Sequence, residues 1–257
     1  MKIKLKCEKE IAYDSPDHIK PLGTMQDNST NPRFNKKFYK LLDKWKSQIK
    51  VLDLGCSGGG FIRECINDGC LAVGLEGSNY SQKFKREEWA VIPEFLFTCD
   101  IGKKFELFLD EKSLKFNLIT SWEVFEHLKE KDIDSLVKNV KDNLEANGIF
   151  IGSISNFPSP NNGLELHQTQ RPKEWWIKKF EEHGFYERKE LYSYFNNQYV
   201  RGRKENLSTF HVIFSRENKE FKNIELSFKS KIKDLLVGSS LQKMLCYLVN
   251  GKVEMGY

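Results

Sequence analysis

The stretch Val51-Leu52-Asp53-Leu54-Gly55-Cys56-Ser57-Gly58-Gly59-Gly60 constrains this chain more than any other. An apolar run of strand type carries Asp53 near its C-terminal end and is followed by four glycines in six positions. Phe61–Ile66 then repeats apolar residues at helical spacing, so the stretch reads as strand, tight turn, helix. Glycines there allow positive φ and close approach of a ligand to the backbone, and the helix start offers free N–H groups. A dinucleotide fingerprint needs G-x-G-x-x-G, and Ser57 stands where its middle glycine belongs. A phosphate loop needs a Lys after the last glycine, and none follows Gly60. What remains is a turn for a cofactor without that phosphate requirement, beside a strand-end carboxylate.

Val51–Gly60 resembles motif I of the class I S-adenosylmethionine-dependent methyltransferases, roughly V-L-D-x-G-C-G-x-G, with Ser57 where glycine is commoner. The resemblance spans about residues 45–215. It implies an α/β, Rossmann-like, doubly wound and mostly parallel seven-stranded sheet with an antiparallel edge strand. It also implies S-adenosyl-L-methionine as cofactor. Around that cofactor it places Asp53, Gly55, Cys56, Ser57, Gly58 and Gly59. Leu71–Glu76 reads as a second strand ending in a carboxylate 21 residues beyond Gly55. Such a group faces the ligand crevice and accepts from ribose hydroxyls. The family's acidic residue at this place does so, and Glu76 matches it, followed by Gly77 and Ser78, the latter suited to cap a helix from Asn79. Glu94–Cys99 reads as a third strand, after which Asp100 and Ile101 match the family's adenine contacts.

Phe116–Glu123 reads as the fourth strand, whose exit brings Ser121 and Trp122 to the cofactor. Val124–Leu128 is expected to open a helix. The string Glu123-x-x-Glu126-His127 resembles the E-x-x-E-H of ubiquinone-pathway O-methyltransferases, where it is read as metal-binding. At i, i+3 and i+4 a helix would bring Glu123, Glu126 and His127 to one face. Carboxylate plus imidazole suits either a general base or a divalent ion such as Mg2+ or Mn2+. The N-P-P-Y and D-P-P-Y patterns of amino methyltransferases are absent from this place. His127 is the first candidate base and His167, on the polar loop 156–170, the second, with Glu123 orienting or ligating.

Further elements follow from spacing. Phe34, Phe38, Leu41, Leu42 and Trp45 predict an amphipathic helix, read as a lid over the cofactor mouth, after a loop-like stretch 1–35. Ile133–Leu144 predicts a helix stopped by Asn147-Gly148, then a fifth strand over Ile149–Ser155. Pro172 opens a helix Lys173–His183 ended by Gly184. Phe185–Tyr194 and Leu207–Ser215 predict the antiparallel hairpin edge, with Tyr192, Tyr194, Phe195 and Tyr199 open to either a sugar site or edge packing. Beyond Glu220, Ile224, Phe228, Ile232, Leu235 and Leu236, then Leu241, Met244, Leu245 and Leu248, predict two amphipathic helices. The expected domains are a lid segment and helix over 1–45, a methyltransferase domain over 46–216 and a basic helical extension over 217–257.

Charge and cysteine usage bound the partners. The net charge of +5 resides in residues 201–257, while residues 1–200 are neutral. A neutral body argues against nucleic acid, whose backbone is bound by basic surface. The basic tail suits docking, a subunit interface or peripheral membrane contact through 220–250. No apolar run of transmembrane length and no signal peptide are visible. Six cysteines without a C-x-x-C suggest a reducing, cytoplasmic setting. The sequence therefore predicts an O-methyltransferase. Its acceptor is expected to be a sugar or surface-glycan precursor, because the 156–170 loop and the Arg171-Pro172-x-Glu174-Trp175-Trp176 after it resemble bacterial methyltransferases encoded with glycan-building enzymes. A quinol-type hydroxyl is the alternative. A non-catalytic cofactor-binding module and an NAD-dependent oxidoreductase are the readings from other classes.

Overall fold

The computed structural model describes residues 2–16, 18, 28–196, 198–201, 209–218, 221 and 224–236. In chain order the strands are β1 (Ile3–Cys7), β2 (Lys50–Leu54), β3 (Leu71–Glu76), β4 (Leu96–Thr98), β5 (Phe105–Leu109), β6 (Lys112–Ser113), β7 (Phe116–Trp122), β8 (Leu144–Ser155), β9 (Pro160–Asn161), β10 (Leu164–Glu165), β11 (Tyr186–Glu187) and β12 (Thr209–Ser215). The helices are α1 (Pro32–Leu42), α2 (Gly60–Asn67), α3 (Tyr80–Lys83), α4 (Glu130–Asn143), α5 (Lys173–Glu182), α6 (Lys189–Phe195) and α7 (Phe228–Leu236). Seven strands form one sheet in the order β11-β12-β8-β7-β2-β3-β4. The five from β8 to β4 run parallel, and β12 is antiparallel to both neighbours. This is the expected α/β sheet, with the reversed strand one position in from the edge.

The order reverses direction at β2, so β2, β3 and β7 end together on one side, where such sheets hold ligands. Two apolar layers sandwich the sheet. One joins α1, α2 and α6 through Phe34, Phe38, Phe61, Ile62, Leu191 and Phe195. The other joins α4 and α5 through Ile133, Leu136, Val140, Trp176 and Phe180.

Helix α1 departs from its expected role. Its residues Phe34 and Phe38 are fully buried, and the Phe34 ring packs against those of Phe61, Trp122 and Phe195. It is therefore a sheet-covering helix. It begins at Asn31, whose side chain accepts from Arg33 and Phe34 N–H, and ends at Asp43 with φ +48°, leaving Trp45 outside and exposed.

Other boundaries move for identifiable reasons. The N-terminus is not all loop: Ile3, Leu5 and Cys7 alternate with lysines as β1, antiparallel to β5. The third strand is only Leu96–Thr98, because a short 3-10 turn over Pro93–Phe95 takes its expected start. Asn147-Gly148 does not stop a helix. Helix α4 ends at Asn143, and the two glide into β8 through an irregularity, Leu144 pairing with Phe116 and Ile149 with Leu118. Phe185–Tyr194 is not one strand. Leu191, Tyr194 and Phe195 at helical spacing are buried, so tertiary packing makes α6 of a Tyr-rich stretch with strand propensity. In the tail, α7 accounts for the first expected helix; Leu241–Leu248 lies outside the described residues. Among the described residues no helix is long and apolar enough to cross a membrane.

Candidate active site

A cavity of about 410 Å³ opens at the C-terminal ends of β2, β3, β7 and β8. One end is built by the glycine turn. Gly55 has φ +79° and Ser57 φ +50°, so the residue that departs from the motif occupies a conformation glycine adopts without strain. Glu76, nine-tenths buried, accepts from Ser57 N–H at 2.9 Å and from Ser78 N–H at 3.2 Å, one per carboxylate oxygen. Asp100 accepts from Gly102 N–H at 3.0 Å, and its burial raises its pKa. Gly55, Ser57, Glu76, Gly77, Ser78, Asp100, Ile101 and Trp122 all line the cavity.

Five expected cofactor residues instead build the wall from behind. Asp53 is buried and accepts from Thr120 Oγ1 at 2.6 Å, while Ser121 Oγ donates to the Leu54 carbonyl at 3.1 Å. Cys56 packs where a Cβ on Gly74 would stand, 2.7 Å away. A Cβ on Gly58 would meet Asn28 Oδ1 at 2.8 Å, and one on Gly59 would meet Leu96 Cδ1 at 2.8 Å. At Gly58 and Gly59 a side chain would therefore meet protein as well.

A second set of ionisable groups, Glu123, Glu126, His127 and His167, also lines the cavity. Val124–Leu128 does not open a helix. Phe125–His127 is a single 3-10 turn, and α4 starts only at Glu130. Glu123, with φ +56°, is thereby split from its neighbours. Its carboxylate meets Arg201 Nε at 2.7 Å and accepts from Thr209 Oγ1 at 3.3 Å. The expected trio of Glu123, Glu126 and His127 on one helix face is not formed. Instead Glu126, His127 and His167 each offer one ligand atom within 4.8 Å of one another.

Glu126 is fully buried, and one oxygen accepts from Ser155 N–H at 2.9 Å. The other, Oε2, has no hydrogen-bond partner among the described residues. Burial, reinforced by nearby Glu123, pushes the Glu126 carboxyl up to about 8. The rings of His127 and His167 meet edge to face at 4.8 Å. His167 Nδ1 lies 2.7 Å from the Phe157 carbonyl. A carbonyl only accepts, so Nδ1 carries a proton and Nε2 is the nitrogen turned away from that carbonyl. Glu165 fixes this loop by accepting from the N–H groups of Ser159 and His167, both at 2.8 Å. A buried acceptor without a donor beside two imidazoles, one anchored through its far nitrogen, fits the donor chemistry of a divalent cation.

The sequence reading missed several walls. Ala12, Asp14, Ser15 and His18 line the cavity, brought there by β1 and by the Ala12 N–H donating to the Gly77 carbonyl at 2.9 Å. The alternation of Ile3, Leu5 and Cys7 was the available signal. Arg201 and Asp132 also line it, and no local pattern marks them. Tyr192, Tyr194, Phe195 and Tyr199 do not: the last three are buried, and Tyr192 donates to Glu187 at 2.9 Å.

A glycine turn, a strand-end carboxylate and a polar far end on this sheet define a class I methyltransferase. The sequence matches the methyltransferase domain model over residues 28–198, and the chain belongs to that family, the S-adenosylmethionine-dependent methyltransferases. It is 30% identical to methyltransferase trt5 of Aspergillus terreus (strain NIH 2624 / FGSC A1156) over 119 residues, which are 42% of each protein. The chain thus spans under half the length of that curated relative. Among solved structures, PKMT2 from Rickettsia typhi in complex with AdoHcy shares the fold, with a TM-score of 0.54 at 13% identity, over 79% of this chain and 56% of that one. Magnesium protoporphyrin IX methyltransferase from Synechocystis PCC 6803 with bound SAH aligns at a TM-score of 0.49 and 12% identity, over 72% of this chain and 81% of that one.

Proposed function

We propose that this protein transfers the methyl group of S-adenosylmethionine to a hydroxyl oxygen, and that the acceptor is a neutral, hydroxyl-rich molecule such as a sugar or glycan precursor. The observation that carries the reading is the Glu126–His127–His167 cluster at the end of the cavity away from Glu76. Methyl transfer is a displacement that needs positioning and, for a hydroxyl, removal of one proton. His167 is built to accept it, because its Nδ1–H is committed to the Phe157 carbonyl. Glu126 and His127 keep that edge of the cavity polar.

The lining supports the acceptor class. Asp14, Glu76, Asp100, Glu123 and Asp132 stand against Lys129 and Arg201. That balance repels phosphates and carboxylates and suits the cationic donor. Ser155, Ser159 and Thr209 offer hydroxyls, and half-exposed Phe157 offers a ring face. Glu76 would hold the ribose, with Asp100 and Ile101 at the adenine, and Ala12, Asp14, Ser15 and His18 would close this end as the lid.

The cluster also supports a second reading, in which Glu126, His127 and His167 hold Mg2+ or Mn2+ and the acceptor is a quinol-type hydroxyl. Such an ion, when bound, polarises the acceptor oxygen. Chelation separates the two. With labelled donor and fractionated cell glycans or quinols as acceptors, indifference to EDTA with loss of turnover in His167→Ala supports the proton acceptor. Loss with EDTA and rescue by manganese supports the metal. Wild-type turnover in both His127→Ala and His167→Ala would end both readings.

A further inference from the structure

Helix α7 is fastened to the body by charge. The Asp234 side chain is fully buried, and both its oxygens meet cations of α1: Arg33 Nε, and Lys37 Nζ at 2.6 Å. Lys37 Nζ also donates to the Tyr194 carbonyl at 2.6 Å, and Gln198 Nε2 to the Asp234 carbonyl at 2.9 Å. Arg33 further holds Ser230 through its carbonyl and its Oγ, both at 3.0 Å. The Asp234 carboxylate thus joins α7 to α1, and the 194–201 stretch is tied in through Lys37 on the Tyr194 carbonyl and Gln198 on the Asp234 backbone carbonyl.

That stretch leads directly into the cavity. Asn31 Nδ2, at the start of α1, donates to the Tyr199 carbonyl at 2.9 Å. The Tyr199 ring stacks on His211 of β12 at 3.7 Å, and His211 Nε2 donates to the Arg201 carbonyl at 3.2 Å. Arg201 Nε then reaches Glu123 at 2.7 Å. Glu123 is held at φ +56°, a conformation a non-glycine residue keeps only where its surroundings impose it. A buried ion cluster is a poor source of stability, since desolvation offsets the attraction, but it fixes one geometry among many.

We infer that Asp234 is a positioning residue: by clamping α1 to the 194–201 stretch it sets Arg201 on Glu123, and so shapes the acceptor end of the cavity from outside it. The consequence for turnover rests on the proposal that the acceptor binds beside Glu123; the clamp itself does not.

Hydrogen exchange read by mass spectrometry on the full chain tests it. Asp234→Asn keeps the shape and removes the charge. Its expected effect is exchange faster by roughly tenfold in peptides covering 192–201 and 119–125, with 50–60 unchanged. Arg201→Gln is expected to speed 119–125 while leaving 32–42 as in the native protein. Ile133→Ala, in the opposite apolar layer, controls for general destabilisation and is expected to spare 192–201. Acceleration confined to 228–236, or spread evenly over the chain, would overturn the inference. Should Asp234→Asn not fold, Asp234→Glu retains the charge at a shifted position and is read by the same peptides, where native exchange in 119–125 would also overturn it. Faster exchange in those peptides without any change in hydroxyl methylation would keep the clamp and remove the acceptor from Glu123.

Discussion

Substituting Gly55 by Ala isolates the contact on which the two ends of the cavity meet. A Cβ there would lie 2.3 Å from Val124 Cγ2 and 2.8 Å from Cγ1, and the backbone has φ +79°. The left-handed conformation costs a residue with a Cβ about 1–2 kcal/mol. Forcing methyl groups apart in a packed site costs about 1–3 kcal/mol. Gly55→Ala is therefore expected to destabilise by about 2–5 kcal/mol in urea denaturation. Val124 directly precedes the Phe125–His127 turn, so relief by displacement moves Glu126 and His127 as well. The two terms separate in a double-mutant cycle with Val124→Ala, which removes both clashing methyls. The pair should recover the steric part, a coupling of about 1–3 kcal/mol, and retain the conformational part. Cofactor affinity by calorimetry should recover in parallel. A coupling under about 0.5 kcal/mol, within the usual additivity error, would show that Val124 is not what Gly55 makes room for.

Three further outcomes are expected. Glu76→Ala should weaken S-adenosylmethionine binding in calorimetry by about 1.5–3 kcal/mol, the worth of hydrogen bonds to a charged group; unchanged affinity would remove the ribose from Glu76. Ser57→Gly should stabilise by about 0.5–1 kcal/mol in thermal unfolding, because φ +50° strains a serine, and a loss of stability would assign its side chain a structural role. In EDTA, stability should fall as pH rises from 4.5 through about 8, because the folded state raises the Glu126 pKa and favours its protonated form. Glu126→Gln should flatten that slope, and a native protein with no slope over this range would show that Glu126 ionises there without cost.

The cofactor end was legible in the sequence because its geometry is local. A strand, four glycines and a carboxylate closing the next strand specify a turn whatever packs around them, and Gly55, Ser57 and Glu76 stand in the cavity as read. Asp53 and Gly58 belong to the same motif but are not among the cavity's lining residues, since a motif marks which residues a turn needs and not which way each one faces. The acceptor end was less legible. Glu123, Glu126 and His127 have helical spacing, yet the positive φ of Glu123 and a lone 3-10 turn part them. His167 joins the last two from a loop 40 residues on, a distance no periodicity encodes. Likewise Tyr194 and Phe195 have strand propensity, and only the apolar layer they fill makes them helical.

Strand β1 bears on the order of events during synthesis. Its partner β5 lies about a hundred residues later, with Ile3 opposite Leu109. Closing a loop of that length carries an entropic penalty that only the finished pairing repays, so such contacts form late. Ala12, Asp14, Ser15 and His18, which wall the cavity near the glycine turn, follow this strand. A ribosome-bound chain can therefore hold the glycine turn and Glu76 well before it holds their cover, and the emerging protein passes through a stage with an open cofactor cleft. Ligand supplied during translation would bind that stage weakly, and tight binding would begin only once residue 109 has cleared the exit tunnel.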